Sequence, residues 1–457
     1  MALLADGPSC RGLASRIVTL LSLSPDQARA CETIRTWVRD RCDTWREGVP
    51  GEILKLAGYA GCGKTTVLGV LAKELEDEGI LVAYATFTGR ASTILSRKLT
   101  DQGVVTANRL KASNPRALEG KFAKFFLNEG EERMAFCGTL HRLLYAPMIN
   151  ENTDELLGWR TRQTLDRRYG LIVVDEASMV GDTMLADIRR HGVPILAVGD
   201  HGQLSPVKDV GSLMKDPDIR LEKIHRQAEG NPIIQLSKVI RETGRLDRSL
   251  GSTALEAKIK FGTRAQLGDA FRLALRGIDS GVPSERILDV GALCWTNKTR
   301  ITTNRIIRKA LSYVGAPKGG EALMCLRNNN DAEISNGMRG VLQRDGDQLG
   351  YKLDVELSFP YEEVHGDFEL CGYQFNREKT FANVEELQRM VPGLKRMSEA
   401  GLLFDFGYCA TVHKFQGSSL KHAIGVLDRP ANPGDSEYRR WLYTLVTRAS
   451  ERLTLLT

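Results

Sequence analysis

Residues 58–65 read Gly-Tyr-Ala-Gly-Cys-Gly-Lys-Thr and fit the pattern G-x-x-x-x-G-K-[ST]. They follow the strand-like run Ile53–Ala57 and open a helical stretch over Thr66–Glu78. A glycine-rich turn of this kind curls backbone N–H groups around an anion, at a helix N-terminus whose dipole also favours negative charge. The strand–loop–helix order therefore restricts the chain to an α/β fold with a phosphate site at the end of a sheet. Lys64 is expected to reach the β- and γ-phosphates of a nucleotide such as ATP, and the Thr65 hydroxyl to ligate Mg²⁺. Gly58, Gly61, Cys62, Gly63 and Thr66 complete the candidate nucleotide-binding loop.

Further short apolar runs at Leu81–Thr86, Leu171–Val174 and Ile195–Val198 are each followed by a turn or a helical segment, the texture of βαβ units on a parallel sheet. The run at 171–174 ends on Asp175-Glu176. After a phosphate loop, an acid here completes the Mg²⁺ shell and its neighbour polarises a water, so Asp175 is a candidate metal ligand and Glu176 a candidate catalytic base. The run at 195–198 leads into Gly199-Asp-His-Gly-Gln203, where a glutamine can meet the γ-phosphate or the attacking water.

A second α/β set begins at Ile287–Trp295 and resumes at Ala410–Val412, Ala423–Leu427 and Leu453–Leu456. Between the two parts of this set, residues 337–406 alternate in a way that predicts short antiparallel strands and a helix near Val384–Ala400. A smaller interruption at 145–168 reads as a hairpin with a polar tip.

Composition narrows the class by exclusion. No apolar run nears the roughly 18 residues of a membrane span, and Ile17–Leu23 lacks a following cleavage site, so neither a membrane role nor secretion is expected. Nine cysteines with no Cys-x-x-Cys spacing argue against a zinc knuckle, an iron–sulfur cluster or a disulfide framework and suit a cytoplasm. Lys+Arg exceed Asp+Glu by 63 to 57, a net +6 that alone says little. Its placement says more: residues 88–126 hold eight basic side chains against Asp101 and Glu119, which is also +6.

The order of motifs resembles that of superfamily 1 helicases, in the 5′→3′ branch that contains RecD-like and Dda-like proteins. Ser24-Pro-Asp-Gln27 resembles the glutamine motif for adenine, Thr86-Phe87-Thr88-Gly-Arg90-Ala the motif Ia segment, and Thr139-Leu-His141 the next strand-contacting motif. Asp175-Glu176-Ala-Ser-Met and Gly199-Asp-x-x-Gln203-Leu resemble motifs II and III, and Ile224-His-Arg226 the arginine of motif IV. Trp295-Thr-Asn297-Lys, Asn336-Gly337, Thr411-Val-His413-Lys414-Phe-Gln416-Gly417 and Leu442-Tyr-Thr-Leu-Val-Thr-Arg448-Ala follow the family's second half. Phe87 and Phe415 depart from the family pattern, standing where a proline and a small residue are common.

The resemblance implies two RecA-like P-loop NTPase lobes around ATP and Mg²⁺. It places lobe 1A at 1–220 with a pin-like insertion 1B at 145–168, lobe 2A at 221–336 and 407–457, and an SH3-like β-rich insertion 2B at 337–406. Lys64, Glu176 and Gln203 would be joined by Arg448 as an arginine finger and Arg226 as its companion, with Gln27, Gln416 and Gly417 lining the nucleotide. Single-stranded DNA would cross Phe87, Thr88, Arg90, Thr139 and His141 of the first lobe and Trp295, Asn297, Thr411, His413 and Lys414 of the second. Phe87 and Trp295 either stack on bases or pack in the core. Trp159 is either the wedge of a strand-splitting pin or an apolar tether. The implied activity is ATP-driven 5′→3′ DNA unwinding at single-strand/duplex junctions, by a monomer in the cytoplasm of a bacterial or phage-infected cell, alongside replication or recombination proteins. Opposite polarity, an RNA substrate, and an ATP-gated nucleic-acid-binding subunit are the alternatives. The hydrolytic set Glu176, Gln203, Arg226 and Arg448 weighs against the last.

Overall fold

A computed structural model describes residues 23–42, 48–104, 106–107, 135–150, 152, 155–165, 169–204, 213–222, 230–254, 256–277, 282–329, 332, 334–428 and 435–457. Arg226 and most of the basic run beyond Lys98 lie outside the described residues.

The apolar runs of the first half pair into one parallel sheet of seven strands. Their order is Thr106–Ala107, Ala135–Thr139, Val82–Thr86, Leu171–Asp175, Ile195–Gly199, Ile53–Gly58 and Ile219–Leu221. The central strands lack alternation because helices cover both faces. On one face Ile34, Leu71 and Leu95 from the helices Pro25–Arg39, Lys64–Asp77 and Gly89–Asp101 meet Leu56, Tyr84 and Leu196. On the other, Leu140, Leu144 and Ile188 meet Ile172, Val174 and Ala197.

A second parallel sheet runs Ile259–Gly262, Ala449–Leu456, Leu420–Val426, Val290–Cys294 and Cys409–Thr411. The helix Asp435–Val446 buries Trp441 and Leu445 against it, next to Leu236 and Ile240 of the helix Pro232–Thr243. The chain thus has two separate parallel α/β lobes, as the pattern of runs predicts.

Between the two parts of the second lobe lies a six-stranded antiparallel sheet. It is built from Ala322–Cys325, Arg339–Leu342, Asp347–Leu349, Lys352–Phe359, Val364–Cys371 and Phe404–Phe406. Every second residue from Leu353 to Phe359 is buried, the period-2 signal of a one-sided strand. The sheet begins upstream of Gly337, because Ala322–Cys325 is buried at every position and shows no alternation. Over 384–400 the structure has one helical turn set, Val384–Gln388, and a 3₁₀ turn at Met397–Ala400. The Pro392-Gly393 pair, with Gly393 at φ +92°, separates them. The strands Tyr145–Asn150 and Glu155–Thr161 form an isolated hairpin on the first lobe. Among the described residues no helix is long and apolar enough to cross a membrane.

Candidate nucleotide site and nucleic-acid interface

The phosphate loop leaves the buried strand Ile53–Gly58 and enters the helix Lys64–Asp77 through Gly63. Gly61 at φ +84° and Gly63 at φ +81° occupy the left-handed region, which is why glycine stands at both. The Lys64 ammonium donates to the carbonyls of Gly58 (2.5 Å) and Tyr59 (3.1 Å), so it is folded across the loop that it would serve. Thr65 and Thr66 follow in the first helical turn, Thr65 partly buried and Thr66 exposed.

Gln27 lies beneath this loop. Its amide nitrogen donates to the Cys62 carbonyl at 3.1 Å, and its oxygen accepts the Ser24 N–H at 3.0 Å in a capping box. The glutamine expected to meet adenine is therefore also a brace for the phosphate loop.

Asp175 ends the strand Leu171–Asp175 and accepts the Glu176 N–H at 2.9 Å. Glu176 sits at φ +53°, a conformation that costs a non-glycine residue about 1–3 kcal/mol and that recurs at functional sites. Burial raises the proton affinity of both carboxyls. For Glu176 the Asp175 charge adds to the rise, while Arg448 and Lys64 oppose it. A carboxylate raised in this way is suited to take a proton from water.

Among the described residues no group of three His, Cys, Asp or Glu side chains could hold a metal by itself. One carboxylate near Lys64 and one threonine hydroxyl instead suit a magnesium ion that keeps waters and phosphate oxygens in its shell, and Asp175 and Thr65 fit it.

Asp200 is fully buried and accepts the Gly202 N–H at 2.9 Å, which turns the chain so that Gln203 faces inward. Gln203 is buried, and its carbonyl oxygen has no hydrogen-bond partner among the described residues. His201 pairs through Nε2 with the Tyr59 hydroxyl at 2.5 Å. Arg241, from the helix Pro232–Thr243, lies 3.5 Å above the Tyr59 ring.

The second lobe closes directly on these elements. Tyr443 donates to Asp200 at 2.6 Å and accepts the Ala60 N–H at 3.4 Å. Thr444 accepts the Leu204 N–H at 3.1 Å, and Gln416 donates to the Leu204 carbonyl at 3.3 Å. Arg448 is buried and donates to the carbonyls of Ser418 (3.0 Å) and Thr444 (3.1 Å), held within its own lobe while its charge acts on Glu176. The approach is close: a Cβ on Gly417 would stand 2.9 Å from that of Ala91.

The structure thus brings Lys64, Asp175, Glu176, Gln203, Gln416 and Arg448 to one region where the two lobes meet. Tyr59, Asp200, His201, Arg241 and Tyr443 join them without having been singled out. Arg241 carries no motif signal at all, whereas Asp200 and Tyr443 lie inside motifs already marked.

The residues expected to hold a nucleic-acid strand are spread more widely. Thr88 caps the helix Gly89–Asp101 and Thr139 the helix Leu140–Leu144, each accepting an N–H at 3.2 Å. Phe87 meets His141 edge-on, with 6.1 Å between ring centres, and His141 also contacts Tyr145 and Trp159. Trp159 pairs with Pro147 midway along the hairpin and is exposed. Met148, Ile149 and Leu157 are the exposed apolar side chains nearer the tip.

Arg90 departs from expectation. Its guanidinium lies 5.2 Å from the Phe415 ring and 5.9 Å from the Tyr361 ring, engaged across the lobe boundary. Cation–π packing and burial explain the placement, and burial lowers its proton affinity against the pull of Glu362. Beside it Arg97 pairs with Glu363 at 3.4 Å.

Trp295 stacks with Trp441 (5.1 Å) and Tyr438 (5.9 Å), which is the core reading of this residue. Asn297 accepts from Arg300 at 3.2 Å, and Thr411 is buried. Burial lowers the proton affinity of His413, and it pushes that of Lys414 down to about 8 with help from Arg300. Lys414 donates to Asn336 at 3.2 Å.

Two families match the chain in sequence. The one described as an AAA domain covers residues 49–264, and the one described as a UvrD-like helicase C-terminal domain covers 406–456. An ATP-dependent RecD2 DNA helicase of Deinococcus radiodurans is 26% identical over 424 residues, covering 88% of this chain and 46% of that protein. The RecBCD enzyme subunit RecD of Haemophilus influenzae is 24% identical over 458 residues, covering 88% of this chain and 66% of that protein. This chain therefore spans about half to two thirds of the length of these curated relatives. A crystal structure of Pif1 helicase from Bacteroides with ADP-AlF3 and ssDNA overlays with a TM-score of 0.49 at 16% identity, covering 93% of this chain and 91% of that one.

Proposed function

We propose that this chain is a superfamily 1 motor of the RecD-like branch, driven by Mg²⁺-ATP, that moves 5′→3′ along single-stranded DNA and separates duplex. The observation that carries the reading is the split of the hydrolytic groups between two lobes: Lys64, Glu176 and Gln203 on one, Arg448 on the other.

A γ-phosphate on the loop meets Lys64. Glu176 takes a proton from the attacking water, Gln203 orients that water, and Arg448 meets the charge that develops on the phosphoryl group. Arg226 is its proposed companion. Because Arg448 belongs to the second lobe, turnover requires closure and product release relaxes it, which makes hydrolysis a stroke.

The strand is proposed to lie over Phe87, Thr88, Thr139 and His141, then Asn297, Thr411, His413 and Lys414, by backbone contacts that accept any sequence. In this reading the first lobe is 1–220, the second is built on the parallel sheet of 259–294 and 409–456, the hairpin at 145–168 parts the duplex, and the antiparallel sheet from Ala322 to Phe406 is the SH3-like insertion. The protein acts as a cytoplasmic monomer at single-strand/duplex junctions.

Strand displacement on duplexes with a 5′ or a 3′ single-stranded tail tests this directly. We expect ATP-dependent unwinding from the 5′ tail. Unwinding only from the 3′ tail would refute the polarity, and displacement confined to RNA would refute the substrate.

Lys414 adds a pH signature. With a proton affinity near 8 it is charged at pH 7 and progressively neutral above pH 8, so a phosphate contact weakens as pH rises. Single-strand affinity should fall roughly fivefold between pH 7 and 9 at 0.1 M salt, the order expected for one lost phosphate contact. Lys414→Arg should flatten the titration. Fluorescence anisotropy at constant salt checks it, and an equally steep Arg profile would remove Lys414 from the strand path.

A further inference from the structure

A phenol from the second lobe ends between the two halves of the phosphate site. Tyr443 is buried, and both partners of its hydroxyl belong to the first lobe: the Asp200 carboxylate at 2.6 Å and the Ala60 N–H of the phosphate loop at 3.4 Å. A tyrosine serving its own lobe would satisfy its hydroxyl there. The bond to Asp200 is short and fully buried, and the one to Ala60 is long, so the first is the firm anchor.

Asp200 in turn shapes the turn that carries Gln203. Its other carboxylate oxygen holds the Gly202 N–H at 2.9 Å, and its backbone carbonyl accepts the Gln203 N–H at 3.2 Å. The ring of Tyr443 reaches Asp200 past Gly202, where a Cβ would lie 3.1 Å from its Cε1. The far end of the same turn is fixed by Thr444, the next residue after Tyr443, through the Leu204 N–H at 3.1 Å. Between the two grips Gln203 keeps a buried carbonyl oxygen that has no partner among the described residues. Tyr443 lies on the helix Asp435–Val446, and Arg448 follows two residues after that helix and donates back to its Thr444 carbonyl.

We infer that Tyr443 is a positioning residue for hydrolysis: it sets the Asp200–Leu204 turn, and with it Gln203, only when the second lobe is seated. This rests on the proposed ATP hydrolysis at the same site. Phenol and guanidinium ride on one helix end, so the orienting amide and the finger are brought into register by one movement. Ala60 belongs to the loop that would hold phosphates, so the weaker of the phenol's two bonds is the one a bound nucleotide perturbs.

Tyr443→Phe removes the hydroxyl and keeps the ring. Steady-state ATP hydrolysis by the full chain, with and without saturating oligo-dT, should show kcat lowered about tenfold or more, the scale of one hydrogen bond to a charged group. The KM for ATP should stay within about twofold and the thermal midpoint within a few degrees, since a conservative change leaves loop and core in place. Gly202→Ala, whose Cβ would crowd both the Tyr443 ring (3.1 Å) and the Asp200 carboxylate (3.2 Å), disturbs the same contact from the other side and should also lower kcat with KM little changed.

Wild-type kcat in Tyr443→Phe overturns the inference. So does a loss in which kcat, KM and thermal midpoint all move together, the mark of a packing role. If wild-type turnover is not stimulated by oligo-dT, the motor reading fails, while the kcat ratio of the two proteins without DNA still decides the role of Tyr443.

Discussion

Replacing Lys64 by alanine should lower ATP turnover by at least about 10²–10³-fold, the range for deleting one preorganised donor to developing phosphoryl charge. The ammonium folds onto the carbonyls of Gly58 and Tyr59, so it is already at the loop and only has to exchange two carbonyl oxygens for phosphate oxygens. Removing it leaves the glycine conformations at Gly61 and Gly63 untouched, because they are set by the backbone. Single-strand binding should therefore survive, and a filter-binding titration beside a coupled ATPase assay separates the two. Near-normal hydrolysis by Lys64→Ala would show that the phosphate loop is not the site of turnover.

Arg448→Ala should be nearly as damaging by a different route. An arginine delivered across a lobe boundary supplies about 10³–10⁵ in phosphoryl-transfer rate. Here it is presented by two carbonyls of its own lobe, Ser418 and Thr444, and its charge opposes the rise in proton affinity of Glu176. ATP should still bind, since the loop belongs to the other lobe, but stimulation of hydrolysis by single-stranded DNA should vanish. The effect on Glu176 gives a second, independent sign. Without the guanidinium that carboxyl becomes harder to ionise, so residual activity should need a higher pH than the wild type. Undiminished stimulated turnover, measured with a fluorescent phosphate sensor, would exclude the finger role.

These two sites were legible in the sequence because each is built from a short local pattern. A strand, a glycine turn and a helix start are specified within a dozen residues, as are the two carboxylates at the end of Leu171–Asp175. The couplings between them were not legible. Tyr443 and Asp200 are 243 positions apart, and Arg241 covers Tyr59 with no motif to announce it. Arg90 shows what a local pattern leaves out. A cation after a threonine-rich strand end reads as a phosphate contact, and only tertiary packing reveals the rings of Phe415 and Tyr361 beside it. Trp159 needs the register as well: the pairing puts it midway along the hairpin, which the sequence alone does not fix because register depends on where the turn falls. The strand Ala322–Cys325 was hidden by its own burial, which erased the alternation that marks its neighbours.

The lobes are joined by exchange. The first lends Arg90 to the rings of Phe415 and Tyr361, and the second lends Tyr443 to the carboxylate of Asp200. Each half therefore carries a socket filled by the other's side chain. Cut apart, one half would bare a buried aspartate and the other two aromatic faces, surfaces that invite aggregation and not independent folding. The chain is accordingly expected to melt as a single unit made of two folds, held together by the same contacts through which it closes.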